Sequence, residues 1–197
     1  NMHEIVKYIK ENGGYARLTE LRNQGFQTRD ISKLYDQGVV EKVQAGLYKL
    51  KESGITSGFV DVSKAMSYAV VALVSALAYH ELTTFNPIKV HVAIPNDAKP
   101  VKIDFPPVEV YYFRKSQYQP GKEEAMIQGH PVDVYNKEKT VCDLFRYRNK
   151  LGEDLAFEGL RNYLDLPGAN LNELQRYMEI CRVKTVMKPY LKALVSG

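Results

Sequence analysis

The chain has 197 residues, of which 45% are hydrophobic, 25% charged and 11% aromatic. These fractions are typical of folded globular proteins, so they exclude wholesale disorder, collagen and low-complexity sequence. Lys and Arg together number 27 and Asp and Glu 23, which leaves a net charge of +4. This mild excess permits an anionic partner without requiring one, and the length permits one large domain or two small ones.

The first fifty residues have the pattern of three short helices followed by a β-hairpin. Apolar residues recur at helical spacing in three segments, and glycines end each segment. Thr28 is predicted to cap the third helix at its N-terminus. Two β-rich runs flank Gln44-Ala45-Gly46 and predict the hairpin. The helical segments are marked by Ile5, Val6 and Ile9, by Leu18 and Leu21, and by Ile31 and Leu34, and the β-rich runs are 39–43 and 47–50.

The pattern changes after a polar, glycine-bearing stretch at residues 53–58, which we interpret as a linker. It would separate an N-terminal domain, residues 1–52, from a C-terminal domain, residues 59–197. The second part mixes helical and β patterns and ends in several helices, with Pro189 expected to kink or restart the last one. The predicted helices are 59–66, 70–82, 137–148, 153–164, 171–182 and 185–195, and the predicted strands are 88–94, 108–113, 125–128 and 132–135, the last two joined by a turn at Gly129-His130-Pro131.

Three helices followed by a hairpin is the order of a winged helix-turn-helix. The predicted fold class is therefore α+β, with an N-terminal winged helix-turn-helix domain followed by a mixed α/β C-terminal domain. In such a domain the third helix enters the DNA major groove, and the hairpin lies against the flanking DNA backbone or minor groove. The same pattern has two alternative interpretations. It is also typical of a small helical module whose polar face is solvated, and of a winged helix that contacts another protein. The predicted DNA-binding residues are Gln27, Thr28, Arg29, Ser32, Lys33 and Tyr35 in the third helix, and Lys42, Gln44 and Lys49 in the hairpin.

The sequence lacks the motifs of the common enzyme classes. It contains no phosphate-binding glycine loop, no HExxH and no GxSxG, and its four His and two Cys lack zinc-ligand spacing. We interpret Asp97, Asp104 and Glu109 as solvated loop carboxylates rather than a nuclease cluster. We therefore expect no enzymatic activity, no catalytic residue, no cofactor and no metal. A DNA-tethered nuclease or nucleotide-acting enzyme, and a ligand-sensing regulator with an apolar pocket, remain alternatives.

Nothing in the sequence predicts a membrane association. The most apolar stretch, residues 65–79, is shorter than a membrane span. No secretory signal pattern is visible, and Cys142 and Cys181 do not form a disulfide framework. We therefore expect a cytoplasmic protein with no membrane partner.

Basic residues are concentrated towards the end of the chain. From Arg176 onwards five Lys and Arg residues face a single acidic residue, Glu179. A second group around residues 139–150 is predicted to form a basic helix edge that includes Lys139. These residues predict either a solvated face or a surface that contacts phosphates and extends the DNA footprint. The possible phosphate contacts are Arg146, Arg148, Lys150, Arg182, Lys184, Lys188 and Lys192.

These segments together resemble the AbiEi family of antitoxins, from the abortive-infection AbiE type IV toxin–antitoxin systems of bacteria. The N-terminal resemblance lies in GGYARLTELRNQGFQTRDISKLYDQGVVEKVQAGLYKL. The C-terminal one lies in VVALVSALAYHELT, KVHVAIP and PVDVYNKEKTVCDLFRYRNKLGEDLAFEGLRNYL. The similarity covers nearly the whole chain, with both halves in the family's order.

The resemblance implies an antitoxin that is also the transcriptional autorepressor of its own operon. The winged helix would bind inverted repeats in double-stranded operator DNA, and the C-terminal domain would neutralise a nucleotidyltransferase-like toxin without a stable complex. Such systems provide phage resistance. One departure concerns the wing tip, which is Gln44-Ala45-Gly46 in place of an Arg-Gly pair that would suit the minor groove.

Overall fold

The computed structural model describes residues 2–51 and 57–196, which form a mixed α+β protein, as the sequence predicts. The chain divides into two compact units. The first comprises Asn1–Ser67, Pro100–Val108 and Met126–Val132, and the second comprises Tyr68–Lys99, Glu109–Ala125 and Asp133–Gly197.

These units are composed differently from the two contiguous domains of the sequence-based division. Of the predicted linker 53–58, residues 53–56 lie outside the described residues, whereas residues 57 and 58 begin a helix. That helix and two segments from later in the chain group with the N-terminal elements. A domain boundary after residue 52 stays a prediction.

Among its described residues, the first unit contains four helices and a three-stranded sheet. The three predicted N-terminal helices and the hairpin are all present, and the sheet has the order β1-β3-β2 with antiparallel pairs. Strand β1 is an addition that the sequence pattern did not indicate. In chain order the elements are α1 (Met2–Glu11), β1 (Tyr15–Arg17), α2 (Leu18–Asn23), α3 (Thr28–Asp36), β2 (Val40–Gln44), β3 (Leu47–Leu50) and α4 (Ser57–Ala65).

The core of this first unit is formed by the apolar residues that the helical spacing singled out. Ile5, Ile9, Leu21, Ile31 and Leu34 are all buried in one cluster. The prediction that Thr28 caps α3 was wrong by one residue. Gln27 is the N-cap, with extended backbone and no capping side-chain hydrogen bond, and Thr28 is the first helical residue.

The remaining strands form a mixed sheet with the order β6-β5-β4-β8-β7. Most of its residues belong to the second unit, whereas residue 108 of β6, residues 126–127 of β7 and residues 130–132 of β8 are grouped with the first. Strand β4 pairs antiparallel with β5 and parallel with β8. Helix α7 is deeply buried, with every residue from Lys139 to Phe145 buried. The elements are β4 (Val70–Val71), α5 (Leu73–Tyr79), β5 (Val90–Pro95), β6 (Val108–Phe113), α6 (Lys115–Tyr118), β7 (Lys122–Ile127), β8 (His130–Tyr135), α7 (Lys137–Arg146), α8 (Arg148–Leu151), α9 (Glu153–Leu164), α10 (Leu171–Ile180) and α11 (Lys184–Ser196).

Two local predictions for residues 59–197 were wrong. Val70 and Val71 begin no helix, because they form the short strand β4 between β5 and β8, and the helix starts at Leu73. The β7–β8 turn lies at Gln128-Gly129, one residue earlier than predicted. Both residues have positive φ angles, 52° and 80°, as a two-residue hairpin turn requires. Pro189 lies within α11, which is assigned as one helix.

Candidate nucleic-acid interface

Helix α3 and its N-cap expose all six of their residues that the sequence assigns to DNA contact. Its apolar positions, Ile31 and Leu34, are buried against the rest of the first unit. The six predicted positions, Gln27, Thr28, Arg29, Ser32, Lys33 and Tyr35, are all exposed. One side of the helix therefore carries hydroxyl, amide and cationic groups that can donate hydrogen bonds to phosphates or base edges.

The hairpin β2–β3 contacts α3 through aromatic rings and one lysine. The Lys42 ammonium lies 5.2 Å from the centre of the Tyr35 ring and 5.9 Å from that of Tyr48. The two rings themselves meet edge to face at 6.5 Å. These contacts hold the half-buried Lys42 between the hairpin and α3, so its charge is positioned beside the exposed face of that helix.

Lys49 does not lie on this surface, because it is buried beneath helix α4. Its ammonium is 2.8 Å from an oxygen of Asp61, which is fully buried, and 3.8 Å from Glu41. Asp61 also accepts a hydrogen bond from the Tyr15 hydroxyl. This buried network joins α4 to β1 and β3, so Lys49 is withdrawn from the candidate contacts and has a structural role.

Two arginines that the sequence analysis overlooked border the same surface. The Arg22 Nε donates a hydrogen bond of 3.0 Å to the Thr28 hydroxyl, at the first turn of α3. Arg17 donates a long hydrogen bond of 3.4 Å to the Gln44 side chain in the hairpin. Both are exposed. Their positions in the sequence could have indicated this placement. Arg17 directly precedes α2, and Arg22 lies in the last turn of α2, next to the turn that leads into α3.

Lys139 does not contribute to a basic helix edge, because it is completely buried in the second unit. Its ammonium lies 2.7 Å from Asp143 and 4.1 Å from the centre of the Tyr135 ring. Arg146 donates two hydrogen bonds to the Oδ1 atom of the same carboxylate, from Nη2 at 2.8 Å and from Nε at 3.1 Å. Its guanidinium also stacks 4.4 Å from the centre of the Phe113 ring. Lys139 and Arg146 thus both pair with the one buried carboxylate of Asp143. The Arg146 side chain is mostly buried, and only a small part of it is exposed to solvent.

The other predicted phosphate contacts differ in how far they are already engaged. Arg148 donates to the carbonyl of Phe145 at 2.9 Å, and Lys150 pairs with Glu109 at 3.1 Å. Lys184 pairs with Glu179 at 3.3 Å in an exposed ion pair. Helix α11 has a cleft of about 500 Å³ that is formed by Lys184, Thr185, Lys188, Pro189 and Lys192, and Arg182 is exposed just before this helix.

The Cys142 thiol and the Tyr135 hydroxyl of the second unit are both buried, which disfavours their ionised forms. Burial raises the pKa of the Cys142 thiol well above its ordinary value and keeps it protonated. Burial likewise raises the pKa of the Tyr135 hydroxyl. Within residues 2–51 and 57–196, no three His, Cys, Asp or Glu side chains are grouped to hold a metal ion. No helix in this part of the chain has both the length and the apolar character that a membrane span requires.

Comparisons with known proteins add no assignment to this geometry. No family model matches the chain, and no curated protein is significantly similar to it. The interface described above therefore rests on the arrangement of the residues themselves.

Proposed function

We propose that this chain is a DNA-binding autorepressor whose first unit is a winged helix-turn-helix domain. The observation that carries the proposal is the exposed polar face of α3 next to the hairpin β2–β3. The order α1-β1-α2-α3-β2-β3, with β1 paired to β3, supports it, because a winged helix has this topology.

In this proposal α3 enters the major groove with its N-terminal residues towards the bases. Arg29 and Lys33 are four residues apart, so they lie on one side of the helix, where they can reach guanine edges or phosphates. Arg22 and Thr28 are already hydrogen-bonded to each other at the start of α3, where a phosphate would meet both donors. Lys42 contacts the DNA backbone from the hairpin. This contact does not require the hairpin to enter the minor groove.

The first experiment is the selection of bound sequences from randomised duplex DNA, followed by footprinting on the region upstream of the chain's own gene. We expect an inverted repeat in the selected duplexes and protection of the same repeat in that region. Two half-sites on one face of the duplex would then be occupied by two protomers. Selection without any enriched sequence would contradict the proposal.

We further propose that the chain is the antitoxin of a toxin–antitoxin operon, as its resemblance to the AbiEi family implies. The partner would be a nucleotidyltransferase-like protein encoded beside it, neutralised without a stable complex. Expression of the neighbouring gene should arrest growth, and co-expression of this chain should restore it. The Arg29→Ala/Lys33→Ala variant should still restore growth, because the two activities are assigned to different parts of the chain. Growth arrest that this chain does not relieve would contradict the antitoxin role.

A further inference from the structure

The second unit contains an open groove of about 770 Å³ with a largely apolar wall. Helix α5, the loop before β5, the end of α8 and the start of α9 supply this wall, and its side chains are those of Val74, Phe85, Ile88, Leu151 and Leu155. Two of these side chains project into solvent, since Phe85 is 56% and Ile88 93% exposed. The volume is that of a typical small-molecule site, in the range of about 300–1,000 Å³.

Some of the charged side chains that line the groove are paired with each other, and others are not. Glu109 accepts hydrogen bonds from Lys150 at 3.1 Å and from Lys89 at 3.4 Å, so both lysines are already paired with one carboxylate. Asp154 and Glu158 lie one turn apart on α9, and neither forms an ion pair with a described residue. The groove therefore presents two uncompensated carboxylates beside an apolar surface.

Two buried polar atoms of the lining residues lack a hydrogen-bond partner. One is Oε1 of Glu158 and the other is Nδ1 of His91, a residue only 8% exposed. The backbone N–H of His91 donates to the Ser75 hydroxyl at 2.8 Å, which ties β5 to α5 beside the groove. Burial lowers the pKa of His91, so at neutral pH the ring is uncharged and does not repel a cation. Leaving such groups unpaired costs free energy, which a ligand that donates hydrogen bonds would recover.

We propose that this groove binds an organic cation that has an apolar body and N–H donors. The ammonium or amidinium group pairs with Glu158 and Asp154, and the apolar body packs on Leu151, Leu155 and Ile88. The groove lies wholly within the second unit, and the inference does not depend on DNA binding by the first unit.

The test uses three ligands of nearly equal shape and the full-length protein. Naphthalene-2-carboxamidine is cationic, naphthalene-2-carboxamide is neutral and naphthalene-2-carboxylate is anionic. In calorimetric titrations at neutral pH, the amidine should bind at least about tenfold more tightly than the amide, because charge-assisted hydrogen bonds contribute more than neutral ones. The carboxylate should bind most weakly. Equal affinities for the amidine and the amide, or no binding of the amidine, would overturn the proposal.

Variants locate the binding site. Glu158→Gln keeps the shape of the side chain and removes its charge, so it should abolish most of the preference for the amidine over the amide. Asp165→Asn makes the same kind of change at the exposed end of α9, away from the groove, and should leave the preference unchanged. Ile88→Ser should weaken both ligands without altering their ratio. If Glu158→Gln keeps the full preference, the carboxylate does not hold the cation and the assignment is wrong.

Discussion

Removal of the Asp61 carboxylate is expected to destabilise the first unit more than any surface change in it. Asp61 is fully buried in α4 and is 2.8 Å from the Lys49 ammonium, which is itself nearly buried. The Asp61→Ala variant leaves that ammonium without its main counter-charge. Loss of one partner of a buried ion pair costs about 3–5 kcal/mol. Glu41, at 3.8 Å from the same ammonium and partly exposed, offsets some of this loss.

The Tyr15 hydroxyl adds to this cost, because Asp61 is its acceptor. A lost hydrogen bond of this kind costs about 1 kcal/mol. We therefore expect Asp61→Ala to lower the free energy of unfolding by about 3–5 kcal/mol in urea titrations followed by far-UV circular dichroism. The double variant Asp61→Leu/Lys49→Met removes both charges and should regain most of that loss.

The comparison of these two variants decides whether the interpretation of Lys49 is correct. If Asp61→Ala lowered the free energy of unfolding by less than about 1 kcal/mol, the Lys49 ammonium would have to reach water, and the buried ion pair would not hold Lys49 in place. A double variant as unstable as the single one would mean that packing of α4, rather than the orphaned charge, dominates the effect.

Three further predictions concern the second unit. Asp143→Ala should lower the free energy of unfolding by about 3–5 kcal/mol, because Lys139 and Arg146 would both lose their buried counter-charge; an effect near zero in urea titrations would contradict the buried network. Gly121→Ala should be destabilising by at least about 2 kcal/mol, since its φ is +82° and an added Cβ would lie 2.6 Å from the Lys139 Cβ, whereas Gly168→Ala, with open space around it, should have little effect. Cys142 and Cys181 are both buried, so an aromatic disulfide reagent should label them only after unfolding, and rapid labelling of the native protein at neutral pH would refute their burial.

The helices and strands that the sequence predicted are those whose own side-chain spacing determines them. Helices α1 and α3 each carry an apolar stripe that faces one core, so the spacing of Ile5 and Ile9, or of Ile31 and Leu34, is sufficient. Strands β1 and β4 have three and two residues and depend on their partner strands. Segments this short contain too few residues to show an alternating pattern. Their strand conformation is determined by pairing with a neighbouring strand.

The two lysines that were misplaced show why burial of a charge is hard to predict from sequence. Lys49 in strand β3 was predicted to contact DNA, but it is buried and paired with Asp61 of α4. Lys139 is charged and follows a helix N-cap, a context that is usually exposed. Its burial depends on Asp143 and on aromatic rings from two strands, which only the tertiary structure brings together. The exposed face of α3 was predictable, since its polar residues lie on the side of the helix away from Ile31 and Leu34.

The central claim is that α3 binds DNA through Arg29 and Lys33, and a salt series of binding isotherms on a selected duplex tests it most directly. Wild-type affinity should fall steeply with salt, and Arg29→Ala and Lys33→Ala should each weaken binding by about 1–3 kcal/mol. Lys10→Ala makes the same charge change on the exposed side of α1 and should bind as the wild type does. Affinity that is independent of salt, or Arg29 and Lys33 variants that bind as tightly as Lys10→Ala, would contradict the account.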